Sequence, residues 1–449
     1  MKSDSLRKNS TLGLVLLGFV AIAVVTGAAL VLLGQLERTP PAIQIDLPSH
    51  YVGSRPFEIR VSDEGKGLSW ISVSLIEAGS EISLFREELD GPPNKTLTVN
   101  LGNGGQRIQE GEAVLRISAA DRSYWNFTRG NQTTYERKVI VDLTRPVVNI
   151  LSQIRRVALG GSGLVIYRTS SDTAQSGVQI ENYFFKGYPL SGGDTWAAFF
   201  AHPRSVSPQT RAVLIAEDRA GNSAQGSLSY KLLDRQYGKT TVSVTDAFIK
   251  NHIAPLLEPA ARRDSLKKLF LSINHELRFE TDARIREICK ESARQLLWDG
   301  SFHQLSNSAV KATFGLERVY DYGGEIIDRA YHLGYDLAVT RNYPVEAANN
   351  GKVIFSGELG IYGKSVIIDH GIGLFTLYGH MSDISVNRGE ELRKKAVIGK
   401  TGQTGLATGD HLHFAVLIHG VPVLPLEWWD DRWVRENVSE RLRSADVGY

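Results

Sequence analysis

Hydrophobic and polar residues follow three different patterns along this 449-residue chain, and each marks a different kind of structure. The first region has no polar face at all. An uncharged run from Thr11 to Gly34 follows a short start carrying Lys2, Arg7 and Lys8. It exceeds the roughly 20 residues that cross a bilayer core as a helix. The sequence leaving it, Leu32-Leu-Gly-Gln-Leu36, lacks the small-residue site that ends a cleaved signal. The pattern therefore predicts a transmembrane anchor over 11–34. The positive flank puts residues 1–10 in the cytoplasm and everything after the anchor outside it, in a periplasmic or other extracytoplasmic space.

From Arg38 to Leu233 the period is two. Segments such as Phe57-Glu-Ile-Arg-Val61 and Ala212-Val-Leu-Ile-Ala216 alternate in polarity between Gly, Pro and Ser turns. Pro41-Ala-Ile-Gln-Ile45 recurs as Pro146-Val-Val-Asn-Ile150, and Ser62-Asp63 before Gly67 recurs as Ser171-Asp172 before Gly177. Ala120-Asp121-Arg122 recurs as Glu217-Asp218-Arg219. Two copies with short strands predict two β-sandwich, immunoglobulin-like domains over 38–143 and 144–235. Asp63, Asp121, Asp172 and Asp218 read as turn carboxylates accepting from backbone amides, with calcium ligation as the competing reading.

Over 244–300 the period lengthens to that of helices. Thr245-Asp246 can cap a helix through Ile253, Asp264 begins a second through about Leu277, and Thr281-Asp282 begins a third ending at Gly300. Leu266, Leu269, Phe270 and Ile273 form one apolar stripe. A spacer, a docking arm and a lid over a groove all fit this linker.

After Phe302 alternation returns in Lys352-Val-Ile-Phe355, Ser365-Val-Ile-Ile-Asp369, Leu374-Phe-Thr-Leu-Tyr378 and His413-Phe-Ala-Val-Leu417, broken by glycine turns. The expected fold over 302–432 is compact antiparallel β-structure with a groove on one sheet, followed by a tail over 433–449. Three polar motifs are embedded in it: His332-Leu-Gly-Tyr-Asp336, Tyr378-Gly-His380, and Thr408-Gly-Asp-His411-Leu-His413-Phe414. Strand side chains alternate faces, so His411 and His413 point to one side and Leu412 into a core. Two imidazoles and a carboxylate are a common zinc ligand set that leaves a tetrahedral position open, and two further histidines are then free for proton transfer.

Composition narrows the field. The formal net charge of +2, with Lys and Arg dispersed, gives no case for a nucleic-acid partner. The single cysteine, Cys289, rules out an intramolecular disulfide and a Cys-type zinc site. It sits in an apolar stripe with Ile285, Ile288 and Leu296 and reads as a small buried hydrophobe. The histidines outside the motifs read as surface or packing residues, and His370 as a turn residue.

The motifs H-L-G-Y-D, Y-G-H and H-L-H, in this order, resemble those of the lysostaphin-type (LytM-like) zinc endopeptidases that cut peptidoglycan cross-links. The resemblance runs from about Asn307 to Trp428. It includes Pro344-Val-Glu-Ala-Ala, Tyr362-Gly-Lys-Ser-Val-Ile-Ile-Asp-His-Gly371 and Ile398-Gly-Lys-Thr-Gly-Gln-Thr-Gly405. One departure is Lys395-Ala396, where the family usually has a turn glycine.

The resemblance implies that His332, Asp336 and His413 hold Zn2+, and that His380 and His411 are the catalytic pair. His411 is expected as the base and His380 as the oxyanion-side donor. The implied function is membrane-anchored hydrolysis of peptidoglycan peptide cross-links by a metal-activated water. The alternative is a non-catalytic or weakly catalytic regulator of other wall hydrolases on the same fold. The immunoglobulin-like domains or the linker are where an envelope protein partner would bind. Because every motif lies between 302 and 449, that span is expected to act as a hydrolase by itself.

Overall fold

The computed structural model describes residues 16–29, 37–101, 108–125, 129–190, 193–256 and 265–445. The chain divides into two compact units, 1–145 with 218–223, and 146–217 with 224–449. The first unit is built from two groups of strands, antiparallel except that Tyr51–Val52 runs parallel to Gln132–Val141. Ala42–Asp46, Phe57–Ser62 and Asn94–Val99 form a three-stranded sheet. Tyr51–Val52, Gln132–Val141, Gly111–Asp121, Leu68–Glu77 and Ser80–Glu88 form a five-stranded one. Ile59 and Val61 from the smaller sheet and Ile71, Val73 and Ile117 from the larger share one core. Phe57–Ser62 alternates strictly between buried and exposed, as a strand with one face in water should.

The membrane anchor expected over 11–34 is corrected here. Among the described residues no helix is long and apolar enough to cross a membrane. Residues 16–29 are helical, which gives about 20 Å at 1.5 Å per residue against a hydrocarbon core of about 30 Å. The rest of the expected span, and the cytoplasmic stretch 1–10, lie outside the described residues. The single-pass placement inferred from the anchor falls with it.

The pair of immunoglobulin-like copies is not confirmed either, because the two regions are built differently. The second has two four-stranded sheets. One runs Tyr188–Pro189, Thr195–Ala201, Ser162–Thr169, Val148–Gln153, and the other Tyr183–Lys186, Thr173–Ile180, Ala212–Asp218, Ser223–Ser227. Thr195–Ala201 is buried at every position. Its largely apolar sequence follows from cover on both faces, and Phe199 meets Trp428 edge-on at 5.6 Å. Glu427 Oε2 accepts from Ser162 N at 2.8 Å, so this β-rich region and the C-terminal region share one core.

That C-terminal region is organised by an eight-stranded antiparallel sheet. Its order is Ala309–Ala312, Tyr335–Ala338, Leu412–Ile418, Leu374–Gly379, Lys364–Gly371, Gly351–Glu358, Glu391–Leu392, with Val421–Val423 paired to Leu412–Ile418. The three central strands are buried on both faces. Alternation sends Val366, Ile368, Leu374, Phe414 and Val416 to one core and Ile367, Phe375, Leu377, Ala415 and Leu417 to another. The helical segment covers the second face, where Leu269, Phe270, Ile273 and Ile285 pack.

Thr245 caps the first helix, its side chain accepting from Phe248 N, a contact worth about 1 kcal/mol. The second and third expected helices are one continuous run over 266–288, capped by Ser265; Asp264 lies outside the described residues. Thr281 is not a cap. Its Oγ1 donates to Leu277 O at 2.6 Å within the helix and accepts from Ile361 N at 3.3 Å. The run stops at Ile288 rather than Gly300: Cys289 N and Lys290 N still bond back to Ile285 O and Glu287 O, but beyond them Ala293 N donates to Asp369 Oδ2 and Leu297 N to His370 O in the sheet. Cys289 is buried, as expected. The tail is helical over 431–444 with Val434, Val438 and Leu442 buried, and 446–449 lie outside the described residues.

Candidate metal centre

Strand register assembles the three motifs at one end of the central sheet. Asp336 pairs with His413 across Tyr335–Ala338 and Leu412–Ile418, and Gly379 pairs with His413 on the other side. His380 follows Gly379 directly, with a positive φ of 62°. His332 precedes Tyr335–Ala338, and its own amide donates to Leu316 O. Odd-numbered residues of Leu412–Ile418 face the helix-covered side, so His413 lies on that face.

His332 Nε2 lies 2.9 Å from Asp336 Oδ1 and 3.1 Å from His413 Nδ1, and His413 Nδ1 lies 3.1 Å from Asp336 Oδ1. All three residues are at least nine-tenths buried. Donors around a tetrahedral zinc at 2.0–2.1 Å stand about 3.3 Å apart, so the set fits that ion closely. The outer contacts fix the donors. His332 Nδ1–H donates to Thr313 O at 3.0 Å, leaving Nε2 with its lone pair toward the centre. Gly334 lets the His413 ring in, since a Cβ there would lie 2.5 Å from His413 Nε2. Tyr362 lies against the same imidazole, ring centroids 4.8 Å apart.

The second pair of histidines stands beside this triad. His411 Nε2 is 3.5 Å from Asp336 Oδ1 while its Nδ1–H donates to Gly409 O. The His380 and His411 rings are 4.9 Å apart, and His380 Nδ1–H donates to Thr404 O at 2.8 Å. Burial opposes charge on Asp336, but hydrogen bonds from His332, His411 and His413 outweigh it and hold the carboxyl well below its usual range. Burial likewise lowers His411, yet Asp336 more than compensates and raises it. His380 is pushed down to about 3 by burial, then by His411 and His413. Burial, then the neighbouring imidazoles against Asp336, brings His413 to about 4. Both are thus held neutral.

The five motif residues therefore meet in one place, lining a cavity of about 210 Å3. Several neighbours were not foreseen. Arg318 Nη2 bonds Asp336 Oδ2 at 2.8 Å, from an alternating hairpin that offers no sequence signal. Phe248, Phe270 and Arg278 of the helical segment wall the cavity. His370 is no turn residue but fully buried in Lys364–Gly371, Nδ1–H donating to Asn350 O and Nε2 accepting from Thr376 Oγ1. Lys395 keeps the turn made elsewhere by glycine, at φ 70°.

A buried carboxylate and two imidazoles converge beside two further imidazoles on an antiparallel sheet, and the first three could hold a metal ion. Residues 330–425 match peptidase family M23, so the chain carries a domain of that family. Over 95 residues the chain is 43% identical to the DD-carboxypeptidase/endopeptidase Mpg of Neisseria meningitidis, covering 21% of this chain and 22% of that protein. It is 36% identical over 94 residues to the peptidoglycan DD-endopeptidase ShyA of Vibrio cholerae, with the same two coverages, 21% and 22%. The match thus spans about a fifth of the length of these curated relatives. Among solved structures, a putative peptidase M23 from Pseudomonas aeruginosa is similar at 22% identity and a TM-score of 0.37, over 60% of this chain and 93% of that one.

Proposed function

We propose that this chain is a zinc-dependent endopeptidase that hydrolyses peptide cross-links of peptidoglycan. The observation that carries the reading is the convergence of His332 Nε2, Asp336 Oδ1 and His413 Nδ1 within 3.1 Å, with His411 and His380 alongside. The relatives named as peptidoglycan DD-endopeptidases support the substrate class. A zinc ion held by His332, Asp336 and His413 supplies a Lewis acid that acidifies water and polarises an amide carbonyl.

His411 keeps Nδ1–H on the Gly409 carbonyl, so its neutral ring offers a bare Nε2 that takes the proton of the attacking water. The imidazolium formed then returns that proton to the departing amine. His380 holds its one ring proton on Thr404 O, so donation to an oxyanion needs a second proton at Nε2, which burial opposes. In this proposal neutral His380 accepts at Nε2, orienting the water across the cavity from His411. Arg318 holds Asp336 by Oδ2, keeping Oδ1 turned toward the imidazoles. The complete donor set gives no support to a purely regulatory module.

The test is digestion of purified sacculi by the zinc-loaded full chain. New amino termini are expected, and their loss on chelation. A chain that binds zinc stoichiometrically and releases none from any peptidoglycan type overturns the proposal.

A further inference from the structure

The first unit gathers three carboxylates around one point. Glu37, Asp63 and Asp121 each bring an oxygen within 4.8 Å of the others. Two oxygens on one calcium ion, each at 2.3–2.6 Å, are at most about 5 Å apart, so the spacing suits a shared ion. Local hydrogen bonding explains only part of the cluster. Asp63 Oδ2 accepts from Gly65 N and Gly67 N at 3.0 and 2.8 Å, the turn role that the sequence suggests. Asp63 Oδ1, on a residue only 5% exposed, has no partner at all. A buried carboxylate oxygen without a donor is destabilising, and two further carboxylates nearby add repulsion rather than relief.

The surroundings are built to bring those charges close. Glu37 Oε2 accepts from Lys66 N at 3.0 Å, and a Cβ on Gly65 would lie 1.6 Å from that same oxygen. A side chain at residue 65 would displace the carboxylate from this position. Glu37 O accepts from Ser123 Oγ and from Asn131 Nδ2, and that amide also donates to Asp121 Oδ2. Burial, and beyond it the charges of Asp63 and Asp121, raise the Glu37 carboxyl above its ordinary value. The sequence repeats the arrangement: an acid four residues before the proline (Glu37 before Pro41, Asp142 before Pro146), then Asp63 and Asp172, then Asp121 and Asp218. Asp63, Asp121 and Asp218 each accept from turn amides close in sequence, and Asp142 Oδ1 accepts from Thr144 N at 3.2 Å, whereas the amide that Glu37 binds, Lys66 N, lies 29 residues away.

We propose that Glu37, Asp63 and Asp121 form a calcium site that ties residue 37 to the first sheet pair. The ligand set is all oxygen, which excludes a preference for zinc. Its irregular geometry suits calcium over magnesium, which demands a near-ideal octahedron. The unpartnered Asp63 Oδ1 is the oxygen that the ion satisfies, and Glu37 closes the site from the start of the unit.

The full chain, with its peptidase centre filled with zinc beforehand, is titrated calorimetrically with Ca2+ alone and separately with Mg2+ alone. The expected affinity is about 10⁻⁴–10⁻³ M, as in extracellular modules. Asp63→Asn should bind one Ca2+ fewer per chain than the wild type. Should Asp63→Asn fail to fold, Glu37→Gln decides, because its side-chain carbonyl still accepts from Lys66 N. Equal calcium stoichiometry in a folded variant and the wild type, no binding at about 10 mM Ca2+, or Mg2+ binding with equal affinity would each overturn the assignment.

Discussion

Arg318 Nη2 lies 2.8 Å from Oδ2 of Asp336, while His332 and His413 both meet Oδ1 of the same carboxylate. The guanidinium thus occupies the oxygen that the imidazoles leave. Outer-sphere partners of this kind fix ligand orientation, and their loss typically costs 10–100-fold in metal affinity or activity. Arg318→Leu is accordingly expected to weaken zinc binding by about 10–100-fold. Competition with a chromophoric chelator measures it, and unchanged affinity would make Arg318 a bystander.

His411 and His413 share a strand face but are expected to differ sharply on substitution. His413→Ala removes one of three donors and should abolish stoichiometric zinc. His411→Ala should retain zinc and lose roughly 10²–10⁴ in rate, the usual worth of a positioned acid or base. Metal content and turnover are read side by side on the two purified variants. Equal zinc loss in both would make His411 a ligand.

His370, remote from the metal donors in its hydrogen bonding, gives a pH prediction. Burial lowers its pKa from 6.5 to about 4, so the unfolded chain binds a proton that the folded chain refuses. Between these two values stability rises with pH and is lost as pH falls from about 6.5 to 4, by up to roughly 3 kcal/mol. Urea unfolding at pH 7, 5.5 and 4.5 should show this slope, and His370→Asn should flatten it whatever its effect at pH 7. A slope identical in the variant would remove His370 from the account.

Lys395 holds a left-handed φ of 70°, kept by Lys395 N donating to Ala347 O and Ala347 N to Ala396 O. A side chain there costs about 1–2 kcal/mol of strain, partly offset by the greater freedom of glycine when unfolded. Lys395→Gly should stabilise the chain by roughly 0.5–1 kcal/mol. A lowered melting temperature would show that the lysine side chain compensates its own strain.

What the sequence disclosed follows from how each feature is encoded. Period two from His411 onward put His411 and His413 on one face, and the spacing of His332 and Asp336 belongs to a local motif, so these residues stood out, while their roles as donors came from the family resemblance. Arg318 was not, because its partner Asp336 is fixed by the pairing of strands and leaves no period of its own. Thr281 looked like a helix start, yet its hydroxyl is spent on Leu277 O and Ile361 N. The break expected there depended on a contact 80 residues away. Thr11 to Gly34 shows the opposite failure: apolar composition alone predicted a span that the described helix does not sustain.

The burial of the central sheet on both faces decides where this chain can be divided. Ile367, Phe375, Leu377, Ala415 and Leu417 lie against Leu269, Phe270 and Ile285 of the helical segment, and Lys239–Val244 pairs in parallel with Glu317–Tyr322. A fragment starting at residue 302 would carry every motif residue and yet present that sheet as a bare apolar slab, an invitation to aggregate. The stretch matched to family M23 is therefore no cassette to be lifted out. A workable excision starts before Lys239, and Phe199 against Trp428 argues for taking the preceding β-rich region along with it.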